Sequence, residues 1–173
     1  FVAVAELAQD LQQRGALLFV SHTDKNELKI LNKTTGAVVQ TITGITAPGA
    51  LAVDGGDNLW LVRKNGAVSE VAQYSVAPDG RLTELQVLAA TFDTPMALGV
   101  SPDGATLVVV DGGASQQLKA FAVSGGAAAW TFGQAGGYTV SPAVSDDRFM
   151  FEGHTFVAFM PDGSFWIGDF GNS

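Results

Sequence analysis

The chain has 173 residues, a formal net charge of −8, and only nine Lys and Arg against 17 Asp and Glu. That length is enough for one domain with a substantial core, while so few, scattered basic residues argue against nucleic acid or an anionic membrane as partner. No cysteine is present, which excludes a disulfide framework and a thiolate metal site, and no apolar run nears the roughly 18 residues of a membrane helix, so no membrane insertion is expected.

Phe1–Ala5 reads as a strand, and Glu6–Arg14 as a helical turn or a polar loop. Leu17–Val20 is a strand closed by Ser21-His22-Thr23-Asp24. Glu27–Leu31 alternates, with Leu28 and Ile30 on one face, and Thr34-Thr35-Gly36 turns the chain into Val38–Ile42. A second unit begins at Pro48, with strands Ala50–Val53, Leu59–Val62, Glu70–Val76 and Leu82–Leu88. A third begins at Pro95, with strands Ala97–Val100, Leu107–Val110, Gln117–Val123 and Ala128–Phe132. After a longer connection, Gly133–Gly153, a fourth unit starts near His154. It holds two strands, Phe156–Phe159 and Phe165–Ile167, joined by Pro161-Asp162-Gly163. Pro sets φ at a turn corner, Asp bonds its own backbone and Gly accepts positive φ.

Short apolar runs separated by Gly, Asp and Thr predict an all-β protein. Pro48 to Pro95 and Val53 to Val100 are both 47 residues apart, whereas Val100 to Phe159 is 59. Four strands at a period of roughly 40–50 residues is what a β-propeller blade needs. The predicted blades are 1–44, 45–91, 92–133 and an incomplete 154–173, with the connection 134–153 between the last two. The second strand of each unit is apolar on both faces and so must be covered on both. First strands carry small residues, Ala50, Ala52, Ala97, Gly99 and Ala158, as crowding round an axis demands. Trp60, Trp130 and Trp166 lie inside strand patterns and are expected in the core. A β-sandwich with similar hairpins is the alternative architecture.

At residues 160–173, MPDGSFWIGDFGNS, the chain resembles the NHL-repeat family of β-propellers. That unit runs from a strand through an Asp-Gly turn to a strand ending in Asp, then Gly-Asn. Asp111-Gly112-Gly113 stands where Asp169-Phe170-Gly171 stands, and unit two departs, with Arg63 near that position. Ser101-Pro102-Asp103-Gly104 is similar to turns of WD-repeat and YVTN-type propellers as well. The resemblance implies a ring of six or seven blades, of which about three and a half are here. The expected partner is therefore the remainder of the propeller, from the same polypeptide, a second chain or a symmetry mate. Residue 1 is Phe with no leader pattern before it, which predicts a processed chain, a fragment or the visible part of something longer.

In propellers, the connections between blades and those between second and third strands share one face, where ligands usually bind. Its longest segment here, Gly133–His154, holds the ligand-face candidates Tyr138, Asp146, Asp147, Arg148, Phe149 and His154; long loops are often functional. His22 and Arg63 end second strands on the same face. His154, at the top of an innermost strand, reads as a channel-mouth ligand or general base, or more plainly as a polar residue bonded to a loop carbonyl. Asp111 and Asp169 have a structural account, accepting N–H bonds from the turns that follow them. Asp146-Asp147 offers carboxylate oxygens to calcium but without EF-hand spacing, and no cofactor is otherwise indicated.

Three functions follow. The first is a non-catalytic binding or scaffold module for a protein or glycan. The second is a metal-dependent lactonase or lyase, which needs carboxylates, Asn or His around a central cation. The third is an architectural subunit of a surface assembly. An acidic, Lys-poor, Gly-, Ala- and Thr-rich composition fits a bacterial exported or surface protein.

Overall fold

The computed structural model describes residues 8–138, 145–169 and 171. The strand expected over Phe1–Ala5, part of the long connection (139–144), Phe170, Asn172 and Ser173 lie outside the described residues. The chain is all-β and is built from the four-stranded antiparallel sheets of β-propeller blades. It divides into two compact units, Phe1–Val87 and Leu88–Ser173.

The first unit contains two sheets. One is β1 (Asp10–Arg14), β2 (Leu17–His22), β3 (Glu27–Asn32) and β4 (Val38–Thr43). The other is β5 (Leu51–Val53), β6 (Leu59–Asn65), β7 (Val68–Val76) and β8 (Leu82–Val87). Each sheet runs in chain order, so every strand pairs with its sequence neighbour.

Asp10–Arg14 is a strand, not the helical turn or polar loop expected from its sequence. Its DLQQR run has no apolar alternation to announce it. The partner strand fixes it, with Asp10 opposite Ser21 through to Arg14 opposite Leu17. Gly15, at φ 54, makes the tight turn between them, a conformation in which a Cβ is strained. The Asp10 carboxylate also accepts the Leu51 N–H at 2.7 Å, joining β1 to β5.

Phe19, Leu28 and Ile30 of the first blade pack with Leu51, Leu59, Leu61 and Ala72 of the second. Phe19 points forward onto the following blade, while Leu59 and Leu61 point back. That alternation explains why second strands are apolar on both faces. Burying a side chain the size of Phe19 stabilises by about 1.5–3 kcal/mol.

The second unit contains β9 (Thr94–Val100), β10 (Thr106–Gly112), β11 (Gln117–Ala122) and β12 (Ala128–Phe132), then the pair β13 (Val157–Phe159) and β14 (Phe165–Ile167). Val108, Val110 and Ala120 pack with Phe149 and Phe151, and Val157, Phe159, Phe165 and Ile167 lie against that cluster. Innermost strands crowd, as their small residues predict. A Cβ on Gly99 would stand 2.7 Å from Val157 Cγ1.

The three tryptophans do not share one environment. Trp60 is fully buried, but Trp130 is 41% and Trp166 68% exposed. The core expectation is therefore corrected for Trp130 and Trp166. Trp130 sits on the outermost strand and stacks on Phe165 at 6.2 Å between ring centroids. Trp166 faces away from the cluster that holds its neighbours Phe165 and Ile167.

Candidate functional site

Strand register makes positions comparable between blades. A bulge follows Ile30 in β3, Gln73 in β7 and Ala120 in β11. Those three residues pair with Phe19, Trp60 and Val108. Counting onward along β2, β6 and β10 brings His22, Arg63 and Asp111 to one equivalent position. Asp169 plays the matching part in the last sheet, accepting Met150 N–H at 3.0 Å. Four singled-out residues thus occupy one repeat position, at the end of each second strand. The residue there is a buried His in the first blade, an Arg in the second, and an Asp in the third and the last.

In the second blade Arg63 is held on three sides. Nε and Nη2 donate to Glu70 Oε2 at 3.1 and 3.0 Å, and Nη1 donates to Glu84 Oε2 at 2.6 Å and to Tyr74 Oη. Asn65 Nδ2 donates to the other oxygen of Glu70 at 2.8 Å. The Asn65 hydrogen bond, with help from Arg63, holds the Glu70 carboxyl below its usual range, while burial pushes the Tyr74 phenol up. A planar guanidinium gripping a carboxylate through two N–H groups is geometrically fixed. Against this cluster lies a pocket of about 280 Å³ lined by Gly44, Ile45, Thr46, Arg63, Lys64 and Asn65. The connection between the two blades and the last residues of β6 form it. The Lys64 N–H to Thr46 carbonyl bond, 2.9 Å, ties them together.

In the third blade Asp111 is fully buried. Oδ1 accepts N–H bonds from Asp93 at 3.0 Å and Thr94 at 2.9 Å, and Oδ2 accepts from Lys119 Nζ at 2.6 Å. The backbone groups it satisfies thus lie at the entry to the innermost strand, not in the turn that follows, which corrects the expected role. Asp169 accepts the Met150 N–H, which lies in the long connection ahead of β13. Lys119 also donates to the Thr91 carbonyl at 3.0 Å and lies 5.6 Å from the Phe92 ring centroid.

The long connection is pinned to the blade before it. Phe149 stacks on Phe151 at 4.8 Å and tilts against Phe132. Phe151 N–H donates to Gln116 Oε1, and Gly136 N–H to the Ser115 carbonyl at 3.1 Å. Phe149 is buried, so it is a core residue and not a ligand-face one. Asp147 Oδ1 accepts from Ser145 Oγ, and Oδ2 accepts from Gln134 Nε2 at 2.7 Å. These bonds, Ser145 first, hold the Asp147 carboxyl low. Arg148 Nε donates to Gln134 Oε1 at 3.0 Å, and Ser145 N–H to Tyr138 Oη. Tyr138, Asp147 and Arg148 are thus brought together by Gln134 and Ser145, with exposed Asp146 beside them. His154 is exposed in a bend ahead of β13, not at the top of that strand. His22 is fully buried, which removes it from any solvent-facing ligand surface.

Among the described residues no group of three or more His, Cys, Asp or Glu is placed to hold a metal ion. One feature gave no signal in the sequence. A groove of about 350 Å³ lies where the Ser101–Gly104 and Met160–Gly163 turns flank Trp130, Phe159 and Phe165. First-to-second-strand turns sit at the opposite end of a blade from the loop face. Asp103 and Asp162 there accept hydroxyl bonds from Ser101 at 2.5 Å and Ser164 at 2.6 Å. Those bonds hold both carboxyls low.

No protein-family model and no curated protein matches the chain. Solved structures do. Hydrazine synthase of Kuenenia stuttgartiensis is similar at TM-score 0.62 and 18% identity, over 86% of this chain and 37% of that one. A candidate 6-phosphogluconolactonase of Bacteroides uniformis is similar at TM-score 0.62 and 14% identity, over 92% and 48%. Another, of Bacteroides fragilis, reaches TM-score 0.53 at 18% identity, over 62% and 32%. At such identities the likeness establishes the fold, a β-propeller type. The chain spans between a third and a half of the length of these structures.

Proposed function

We propose that this chain is a non-catalytic binding module, part of a larger propeller with NHL-type blades, which holds a protein or glycan ligand on its loop face. The pocket between Gly44–Thr46 and Arg63–Asn65 carries this reading. It is lined by a hydroxyl, an amide, an ammonium and a guanidinium, and the guanidinium is fixed by Glu70, Glu84 and Tyr74. Preset polar groups of this kind match sugar hydroxyls or the peptide groups of a protein loop, because fixed donors lose little freedom on binding. Lys119 is engaged in an internal ion pair and serves as a tie.

The test is a glycan and protein-fragment array probed with the native polypeptide and its Thr46→Tyr variant. Thr46 is exposed, so Tyr fills the pocket without entering the core. The expected result is binding that the variant loses. Binding that survives Thr46→Tyr unchanged overturns the assignment of this pocket.

A second reading, a metal-dependent lactonase, is favoured by the likeness to the two candidate 6-phosphogluconolactonases. Saturable, cation-dependent hydrolysis of 6-phosphogluconolactone by the native polypeptide would establish it over the first.

A further inference from the structure

We infer that the Trp130 groove and the exposed Trp166 face are seats for later β-strands of the same polypeptide: two strands that complete the last blade, then a following blade. This rests on the reading of the chain as part of a larger propeller, and it names which surfaces are taken and by what.

The argument comes from internal equivalence. In the first unit the turn between β7 and β8 lies on the preceding blade. A Cβ on Gly80 would be 3.3 Å from both Ile30 Cδ1 and Gln40 Oε1. Ile30 and Gln40 pair across β3 and β4, just before a bulge. Ala120 and Trp130 pair in the same way across β11 and β12, just before the equivalent bulge. Trp130 therefore stands where Gln40 stands. The groove beside it is the place where the turn joining a third and fourth strand of the last blade falls. Its position agrees, since turns after first and third strands share one end of an antiparallel blade.

The second face follows the same logic. Phe19 and Val108 are equivalent by register, and both are fully buried against the blade that follows. Trp166 holds their position, three residues ahead of Asp169 as Val108 is ahead of Asp111. It is nevertheless 68% exposed. An uncovered Trp on a sheet face beside an open strand edge marks a surface made for further packing. Every four-stranded sheet here runs in chain order, and the similar structures are longer chains of which this one covers 32–48%, so the same polypeptide is the source we assign.

Hydroxyl-radical footprinting of the native full-length polypeptide tests this, with fully buried Trp60 as the internal reference. Trp130 and Trp166 are expected to oxidise as slowly as Trp60 at every protein concentration. Trp166→Gln should lower the melting temperature of the full-length polypeptide, since a free surface would tolerate it. Rapid oxidation of both residues overturns the inference, as does a Trp166→Gln melt like that of wild type. Protection that appears only at high protein concentration, with a dimer by light scattering, assigns the face to a second copy and overturns it too. So does protection of Trp130 that requires added oligosaccharide. None of these outcomes depends on the loop-face pocket, so failure here is separable from failure of the binding reading.

Discussion

Asp111 Oδ2 accepts a hydrogen bond from Lys119 Nζ at 2.6 Å, and it does so from a side chain with no solvent exposure. The same carboxylate satisfies two backbone N–H groups at the entry to β9. Asp111→Ala therefore removes three bonds at once and should destabilise by about 3–5 kcal/mol, as breaking a buried pair does. Asp111→Asn should cost less, because its amide oxygen still accepts from Asp93 and Thr94 while Lys119 reaches water. Urea unfolding of the two variants checks the order.

Arg63 separates two carboxylates. With Arg63→Ala, Glu70 and Glu84 lose their shared cation, and a loss of about 1–3 kcal/mol is expected. Arg63→Lys should not restore it, because an ammonium cannot reproduce the two N–H bonds to Glu70. Thermal melts of both variants, compared with wild type, measure this.

Acid should weaken the fold through specific groups. Glu70, Asp103 and Asp162 all have carboxyls held below their usual range. Their stabilising contribution is complete above the unfolded-state pKa and is lost as pH falls through the folded one. Asp10 works in the opposite sense. Burial pushes its carboxyl up despite the Leu51 and Leu11 N–H bonds, so its ionisation costs stability as pH rises through the usual carboxylate range. Melting temperature against pH below 5 should fall more gently in an Asp103→Asn, Asp162→Asn double variant. For Asp10→Asn it should fall more steeply with acid than in wild type.

Crowding at the innermost strands predicts that Gly99 resists substitution. Gly99→Ala places a methyl 2.7 Å from Val157 Cγ1, so β9 or β13 must shift, at about 1–3 kcal/mol. Ala97→Gly, two residues away on the same strand, removes atoms and should leave the β9–β13 spacing intact. Denaturant midpoints of the two variants test whether the cost is steric.

Most strands were legible in the sequence because second and third strands alternate or run apolar, and Asp-Gly turns separate them. The strand β1 was not, since DLQQR carries no apolar pattern and owes its conformation to Leu17–Ser21 opposite. Trp130 and Trp166 misled for another reason. A local pattern reports strand, but burial depends on which sheet lies opposite, and their faces are open in this chain. Among the site candidates, Arg63 proved to sit on a pocket, whereas Phe149 and His22 proved buried. Periodicity has no way to say which of two faces a loop aromatic takes. The recurring unit already placed Arg63 near the position of Asp111, and strand register, with a bulge at the same place in each blade, makes that equivalence definite and adds His22 to it.

The central claim, that ligand is held between Gly44–Thr46 and Arg63–Asn65, is tested most directly by amide hydrogen exchange. The measurement compares the native polypeptide with and without the ligand that the array returns. Slower exchange is predicted over 44–48 and 63–66 with little change over 101–106 and 160–165. Slowing confined to those two turns, with the pocket unaltered, would contradict it.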